Sequence, residues 1–480
     1  MEMSELFDDA VAVYRERLVR ATEEMRAARD PQAFVDAERE VFRLTQELAA
    51  AMTQRVLQDA SNDQERRKDA LERLRKRARS AGIRLRIERN RKTLVRTLSG
   101  MVIEVTTVYA TARPRGGRRE KRGGQGTGVH YVLDELGIEG RSTPALRLAV
   151  SRAVCEANSV ASARDLLATQ GVNIDHKAAL RLTYSVTTVA LEARASAMRQ
   201  TTAGSPVGPL RGRRVVAAVD GGRLQTRRRT GGPWHNRGRR RFKTEWREPK
   251  VLTIYVLDDD GKRDKAVRSV IDGTLGDADE VFALLRYHLL RLGAHEATEL
   301  TFVGDGAPWI WNRTDALRRA LGLPPERFHE VVDYFHVVER LGEISHRSLS
   351  GGEDARRAWL GILKGFLKAG DIEEIERVLA TSRYEELATD LDYLSRNRHR
   401  LRYAEFRRRK LPIGSGAVES AVRRVVNLRL KGSSVFWTEE HAEGILHLRA
   451  HAKSGRWGEL ERAVLANTGW RPTSRIVRAA

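Results

Sequence analysis

Apolar residues recur at helical spacing through the first eighty positions. In PQAFVDAEREVFRLTQELAAAMTQRVLQ, residues Phe34, Val41, Leu44, Leu48, Met52 and Val56 fall on one helical face. That stripe reads as either a core face or an oligomer seam. The charged run DQERRKDALERLRKRARSAG continues as helix and stops at Gly82. The period then changes: KTLVRTLSGMVIEVTTVYA contains two β-rich runs around Ser99-Gly100, which predicts a hairpin. Helical spacing returns from residue 134 to about 200. A helix over Val160–Thr169, a turn at Gly171 and a second helix capped by Asp175 have the spacing of a helix-turn-helix. Its second helix would offer His176, Lys177 and Arg181 to a major groove; an ordinary helical hairpin fits the same pattern.

The stretch TTAGSPVGPLRGRR at 201–214 breaks the periodicity and predicts a domain boundary. Beyond it the pattern predicts three strands, a helix, a strand, a helix and a strand. RVVAAVDGG ends at Asp220, and KVLTIYVLDDDGK and KAVRSVIDGTL follow, with turn chemistry at Asp258, Asp259, Asp260 and Gly261. DADEVFALLRYHLLRLG is helical, ELTFVGDGA is a buried strand ending at Asp305, and RTDALRRALG is helical again. RFHEVVDYFHVVERL turns from strand to helix, and residues 337–410 read as helix throughout. A turn at Gly414-Ser415-Gly416 then opens a helix that carries Glu419 and many arginines.

Composition narrows the partners. Lys and Arg outnumber Asp and Glu by 87 to 64 over 480 residues, a net charge of +23, which favours a polyanion because each neutralised phosphate releases counterions. RPRGGRREKRGGQGTG is read as either a solvated linker or an arm that orders on nucleic acid. The single cysteine, Cys155, excludes internal disulfides and a multi-cysteine zinc site and reads as a buried structural thiol. No apolar run of about eighteen residues and no signal peptide is seen. These features predict a cytoplasmic, nucleoid-associated protein with no membrane partner.

Asp220 and Asp305 each end an apolar strand and are followed at once by glycine. Ligands gather at adjacent strand ends with such turns in an open α/β sheet. Two carboxylates brought together repel unless cations lie between them, and hard oxygen ligands suit Mg2+ or Mn2+. Two ions roughly 4 Å apart can activate an attacking oxygen and steady the leaving oxygen of a phosphodiester. Glu419 is the third carboxylate that would complete the cage. The plainer readings are that Asp-Gly is a frequent turn, and that Glu419 favours the helix dipole or pairs with Arg423 at i,i+4.

The motifs VAAVDGG, TFVGDGAPWIWN, VVDYFHVVERL and LPIGSGAVESAVRRVVNLRLKGSSVFWTEEHAEGILHLRA resemble those of bacterial insertion-sequence DDE transposases. They are most similar to the ISKra-type group, related to Mutator-like elements, over roughly residues 130–470. The resemblance implies an α/β ribonuclease H-like catalytic domain with an all-helical insertion, behind a mostly helical N-terminal DNA-binding region with a small β-hairpin. On that reading the parts are an N-terminal helical region (1–82), the hairpin and basic arm (83–130) and a helical DNA-binding domain (131–203). The catalytic core would follow at 211–336, the insertion at 337–410, and the C-terminal helix and tail at 411–480. Asp220, Asp305 and Glu419 would be the catalytic and metal-binding triad with two Mg2+ or Mn2+ ions. Asp333 and His336 would form the accessory Asp-x-x-His element. Double-stranded DNA, as element ends and target, would be the partner, bound by a homodimer or larger assembly on paired ends.

Arg423, Arg424, Arg429 and Lys431 are DNA-contact candidates, as are Arg227–Arg229 and Arg239–Arg241, although a charge run is more often a solvated face. Trp309 and Trp311 are read as core ahead of base stacking, and Trp437 as packing for the final helix. One departure stands out: paired cysteines frequent in the N-terminal region of the resembling proteins are missing from VYATARPRGG. Two rivals remain, a structure-selective nuclease of the same fold that cuts without joining, and a DNA-binding regulator with vestigial carboxylates.

Overall fold

The computed structural model describes residues 3–114, 128–201, 208–230, 241–382, 384–432 and 435–470. The chain is mixed α/β with helix predominating, and no described helix is long and apolar enough to cross a membrane. It divides into two compact units, Met1–Val189 with Glu461–Ala480, and Ala190–Leu460.

The first unit begins with helices α1 (Met3–Ala27), α2 (Pro31–Asn62) and α3 (Gln64–Ser80). Asp30 starts α2 by accepting the Ala33 N–H at 2.9 Å, with Pro31 in the first turn. The buried face of α2 runs through Ala37, Leu44, Ala50, Leu57 and Ala60, whereas Phe34 and Val56 are exposed. The predicted stripe is thus partly wrong: Leu44 is buried as expected, but Ala37, Ala50, Leu57 and Ala60 face inward where Phe34 and Val56 do not. Strands β1 (Ile83–Arg96) and β2 (Val102–Pro114) form the predicted hairpin, and β3 (Gly128–Val129) adds to β2. The turn needs glycine at position 100: φ is +81°, and a Cβ there would lie 2.1 Å from the Gly171 carbonyl oxygen. The Gln58 amide bonds both the N–H and the carbonyl of Thr106 on β2.

Helices α4 (Tyr131–Glu135), α5 (Pro144–Glu156), α6 (Val160–Thr169) and α7 (His176–Gln200) follow. Ser159 and Asp175 cap α6 and α7 through their side chains, as the sequence predicts for Asp175. Leu146, Val150, Val154, Ala163, Leu167, Ile174 and Leu182 form their shared core, and Cys155 is buried beside it, with its thiol directed at the Arg152 carbonyl. His176, Lys177 and Arg181 are exposed on the first turns of α7. The division between units falls inside α7, at 189/190, rather than in the Pro/Gly break at 201–214. The physical reason is that the last turns of α7 belong with the second unit: Arg194 pairs there with Asp272 and Glu443.

The second unit holds β4 (Arg214–Gly221), β5 (Leu224–Arg229), β6 (Phe242–Arg247), β7 (Lys250–Leu257) and β8 (Val270–Thr274). It continues with α8 (Ala278–Arg291), β9 (Glu299–Gly304), α9 (Pro308–Ala320) and β10 (Phe328–Val332). Five strands form one sheet in the order β10-β9-β4-β7-β8, with β10, β9 and β4 parallel and β7 antiparallel to both of its neighbours. Val215–Val219 are all buried, which requires cover on both faces of the sheet. One core cluster joins the sheet to α8, α9 and the helices that follow. The second joins Val251 and Ile271 to the C-terminal helices through Val422, Val426, Ile445 and Leu446. The segment read as helical comprises α10 (Tyr334–Ser348), α11 (Glu353–Ala369), α12 (Ile372–Ala380), α13 (Leu387–Asn397) and α14 (Tyr403–Arg408). After it come α15 (Gly416–Val422), a π-helical turn over Arg423–Asn427, α16 (Glu439–Lys453) and α17 (Trp457–Ala466). The β5–β6 ribbon was not anticipated, because the arginine run obscured its alternation.

Asp272 on β8 anchors a buried polar knot. Its carboxylate accepts from His288 Nε2 at 2.9 Å and lies 3.3 Å from both His447 Nδ1 and Arg194 Nη1. Burial works against its ionisation, but His447, Arg194 and the hydrogen bonds hold the carboxyl well below its usual range. Burial likewise pushes His288 down to about 4, and also lowers His447 and His451. Unfolded, these histidines protonate near pH 6.5, so unfolding takes up protons below that pH. Stability is therefore expected to be full at neutral pH and to fall as pH drops from about 6.5 towards 4, by roughly 3 kcal/mol for His288 alone. Thermal melts at stepped pH check this, and His288→Gln should flatten the slope.

Candidate metal-binding active site

The parallel pairing of β4 with β9 runs to Ala218 opposite Val303, so Asp220 and Asp305 lie two residues beyond matched positions on adjacent strands. Asp220 is the last residue but one of β4, and Asp305 directly follows β9. Asp220 Oδ1 accepts the Gly221 N–H at 2.7 Å, and Asp305 Oδ1 accepts the Ala307 N–H at 2.9 Å. Helix α15 packs over β4 and β7, with Val422 and Val426 about Gly222. Glu419 thereby comes near enough for its charge to act on Asp220. Burial raises Asp220 to about 6; the Gly221 N–H and His336 oppose that rise, while the charges of Asp305 and Glu419 add to it.

No ion pair within the described residues neutralises Asp220, Asp305 or Glu419. The expected alternative for Glu419, a pair with Arg423, is not formed: Glu419 Oε1 instead accepts the Ser415 hydroxyl at 2.6 Å. Asp272-Gly273 makes the contrast. It has the same Asp-Gly signature on the same sheet, yet its carboxylate is surrounded by an arginine and two histidines. The carboxylates left without cations are the ones whose donor set, all hard oxygen, fits divalent ions.

Asp333 and His336 sit at the entry of α10. Asp333 is fully buried; Oδ1 accepts from the N–H groups of Phe335 (2.6 Å) and His336 (3.3 Å), and Oδ2 from Ser415 N–H at 2.5 Å. Its own N–H donates to the Gly304 carbonyl at 2.8 Å. Asp333 therefore ties the end of β9, the start of α10 and the Gly-Ser-Gly turn together. Single ligand atoms of Asp333, His336 and Glu419 lie within 4.8 Å of one another, which groups Glu419 with the Asp-x-x-His element; Asp220 and Asp305 do not join that close group. With its oxygens engaged by three backbone N–H groups, Asp333 acts as a clamp, while His336 and Glu419 keep ligand capacity. Ser415 was missed in the sequence; a serine four residues before the acid in GSGAVE was the available sign.

A cavity of about 440 Å³ opens beside Asp305 and His336, walled in part by Trp311, Arg340, Tyr393 and Arg400. Trp311 is core, as expected: it is 7% exposed, meets Phe302 edge-on and donates to the Asp305 carbonyl at 2.8 Å. Trp309 packs edge-on against Phe282. Gly306 has no space for a side chain, since a Cβ would lie 2.2 Å from Tyr393 Cε2. Gly306→Ala should therefore displace the turn that holds Asp305 and reduce metal-dependent activity at least about tenfold, with about 1–3 kcal/mol lost to overpacking. Pairing it with Tyr393→Leu should restore part of both, measured by activity and thermal melts.

The C-terminal arginines are only partly as expected. Arg423 and Lys431 are exposed, but Arg429 is 7% exposed with its guanidinium 5.0 Å from the Trp437 ring centre. Arg424 is half-buried and donates to the Ser420 and Lys453 carbonyls. Arg424 lies within the π-helical turn and Arg429 two residues past its end, and both make contacts to protein. Trp437 is buried against α16, as predicted. Arg239 and Arg240, and residues 115–127 of the basic arm, lie outside the described residues. Compared with known proteins, the chain matches no family model, no curated protein and no solved structure.

Proposed function

We propose that this protein is a DDE transposase of an insertion sequence, with a ribonuclease H-like catalytic domain interrupted by a helical insertion. The observation that carries the reading is that Asp305 and Glu419 lie near enough for their charges to raise Asp220, with no ion pair among the described residues on any of the three. Support for the fold comes from the five-stranded order, with three antiparallel strands followed by two parallel ones added on the free side of the first, β9 beside β4 and β10 beside β9. The helical segment between β10 and α15 stands where such an insertion belongs. The net charge of +23 suits a DNA substrate.

Asp220, Asp305 and Glu419 would hold two Mg2+ or Mn2+ ions, with His336 beside them. Bound there, such ions supply Lewis-acid activation of the attacking oxygen and charge stabilisation for the leaving one. The chain's own part is to fix that geometry. The strand ends set the two aspartates, and the Asp333 clamp and Ser415 hydroxyl orient Glu419. In the first reaction a water oxygen attacks phosphorus at the element end, the P–O3′ bond breaks and a 3′-hydroxyl is released. In the second, that 3′-oxygen attacks a target phosphorus and displaces the target's own 3′-oxygen. Exposed His176, Lys177, Arg181, Arg423 and Lys431 are the DNA contacts of this reading, and a dimer or larger assembly would pair the ends.

The test is incubation of the protein with its native element termini, both intact and pre-cut, with and without Mg2+. A transposase cuts the intact end and joins the pre-cut 3′-hydroxyl to target DNA. Cutting without any joined product would make it a nuclease, and binding without metal-dependent cutting would make it a regulator.

A further inference from the structure

The β5–β6 ribbon begins four residues after Asp220 and carries a surface that the catalytic reading does not use. The register pairs Gln225 with Trp246, Arg227 with Thr244 and Arg229 with Phe242, which sets these six side chains on one face. Leu224 and Thr226 on the other face are buried at the base, where Arg227 N–H donates to the Trp437 carbonyl at 2.7 Å. The ribbon is therefore anchored on one side, and its second face carries two large aromatics, of which Phe242 has one side against Phe436 with ring centres 5.7 Å apart. Trp246 is 51% exposed and Phe242 45% exposed. The Arg223 guanidinium lies 4.4 Å from the Trp246 ring centre, and that of Arg227 lies 5.9 Å from Phe242. Across the strands, Arg228 pairs with Lys243, both exposed. Among the described residues no carboxylate pairs with Arg227, Arg228, Arg229 or Lys243.

A purely solvated hairpin accounts for the charges but not for two half-exposed rings on the same face. The four-residue spacing on β6 sets them about 13 Å apart along the strand. Phosphates would satisfy the cations, and only unpaired bases offer free ring faces to stack on Trp246 and Phe242. A duplex supplies the phosphates but keeps its base faces hidden. We propose that the β5–β6 ribbon binds unpaired DNA, with Trp246 and Phe242 stacking on bases and Arg227 and Arg229 holding the intervening phosphates.

The experiment measures binding of a labelled single-stranded oligonucleotide, and of the same sequence as duplex, to the full chain by fluorescence anisotropy. This readout needs no catalysis, so it stands or falls separately from the proposed function. The Phe242→Ala/Trp246→Ala variant is expected to lose on the order of 10- to 100-fold in single-strand affinity and less than about twofold in duplex affinity. Trp246→Phe, which keeps a stacking ring, should remain near the unsubstituted protein, and an unchanged melting temperature for both variants excludes unfolding. Equal losses on single strand and duplex, or no loss on either, would overturn the proposal.

Discussion

Asp305→Ala is expected to reduce Mg2+-dependent end cleavage by at least about a thousandfold, equivalent to about 4 kcal/mol of barrier, with little change in duplex binding. Asp305 makes one hydrogen bond through its carboxylate, to the Ala307 N–H of its own turn, so its removal leaves the fold largely intact. Asp220→Ala and Glu419→Ala should behave alike. Asp272→Ala is the informative control: it also replaces an Asp before glycine in the sheet, but it removes the carboxylate shared by His288, His447 and Arg194 in a buried knot and should destabilise the unit rather than merely inactivate it. Single-turnover cleavage beside a thermal melt separates the two effects.

Asp333→Ala should also lower stability strongly. It leaves the N–H groups of Phe335, His336 and Ser415 without their acceptor in a site that excludes solvent. At about 1–3 kcal/mol for each orphaned donor, partly offset by relaxation, a loss of about 3–5 kcal/mol follows, read as a fall in Tm of roughly 10 °C. Ser415→Ala keeps the backbone bond to Asp333 and removes only the hydroxyl that holds Glu419. It should cost less than about 1 kcal/mol of stability yet slow cleavage about tenfold, since Glu419 then samples several rotamers. A parallel loss of stability and activity in Ser415→Ala would remove the positioning role.

The periodic elements were legible in the sequence because burial imposes its own spacing. The five sheet strands, the hairpin at Gly100 and the capped helix at Asp175 all followed from alternation, turn chemistry and capping. The β5–β6 ribbon was hidden because its exposed face carries arginines and aromatics instead of the polar residues that usually alternate with a core. The candidate acids could be picked out as strand-end Asp-Gly pairs, but Asp272 has the same signature. What separates them is the surroundings: Arg194, His288 and His447 arrive from three distant helices, and no local pattern foretells that. The role of Asp333 was equally opaque, since its partner Ser415 lies far along the chain. Arg429 shows the reverse error, a cation read as a DNA contact that is buried against Trp437.

The central claim is that Asp220, Asp305 and Glu419, distant in sequence, jointly hold divalent ions. Mn2+ binding followed by electron paramagnetic resonance on the full chain and on Glu419→Gln tests it most directly. The account predicts that losing this one carboxylate charge, with the fold intact, weakens Mn2+ binding at least about tenfold. Equal Mn2+ affinity in the two proteins would contradict it.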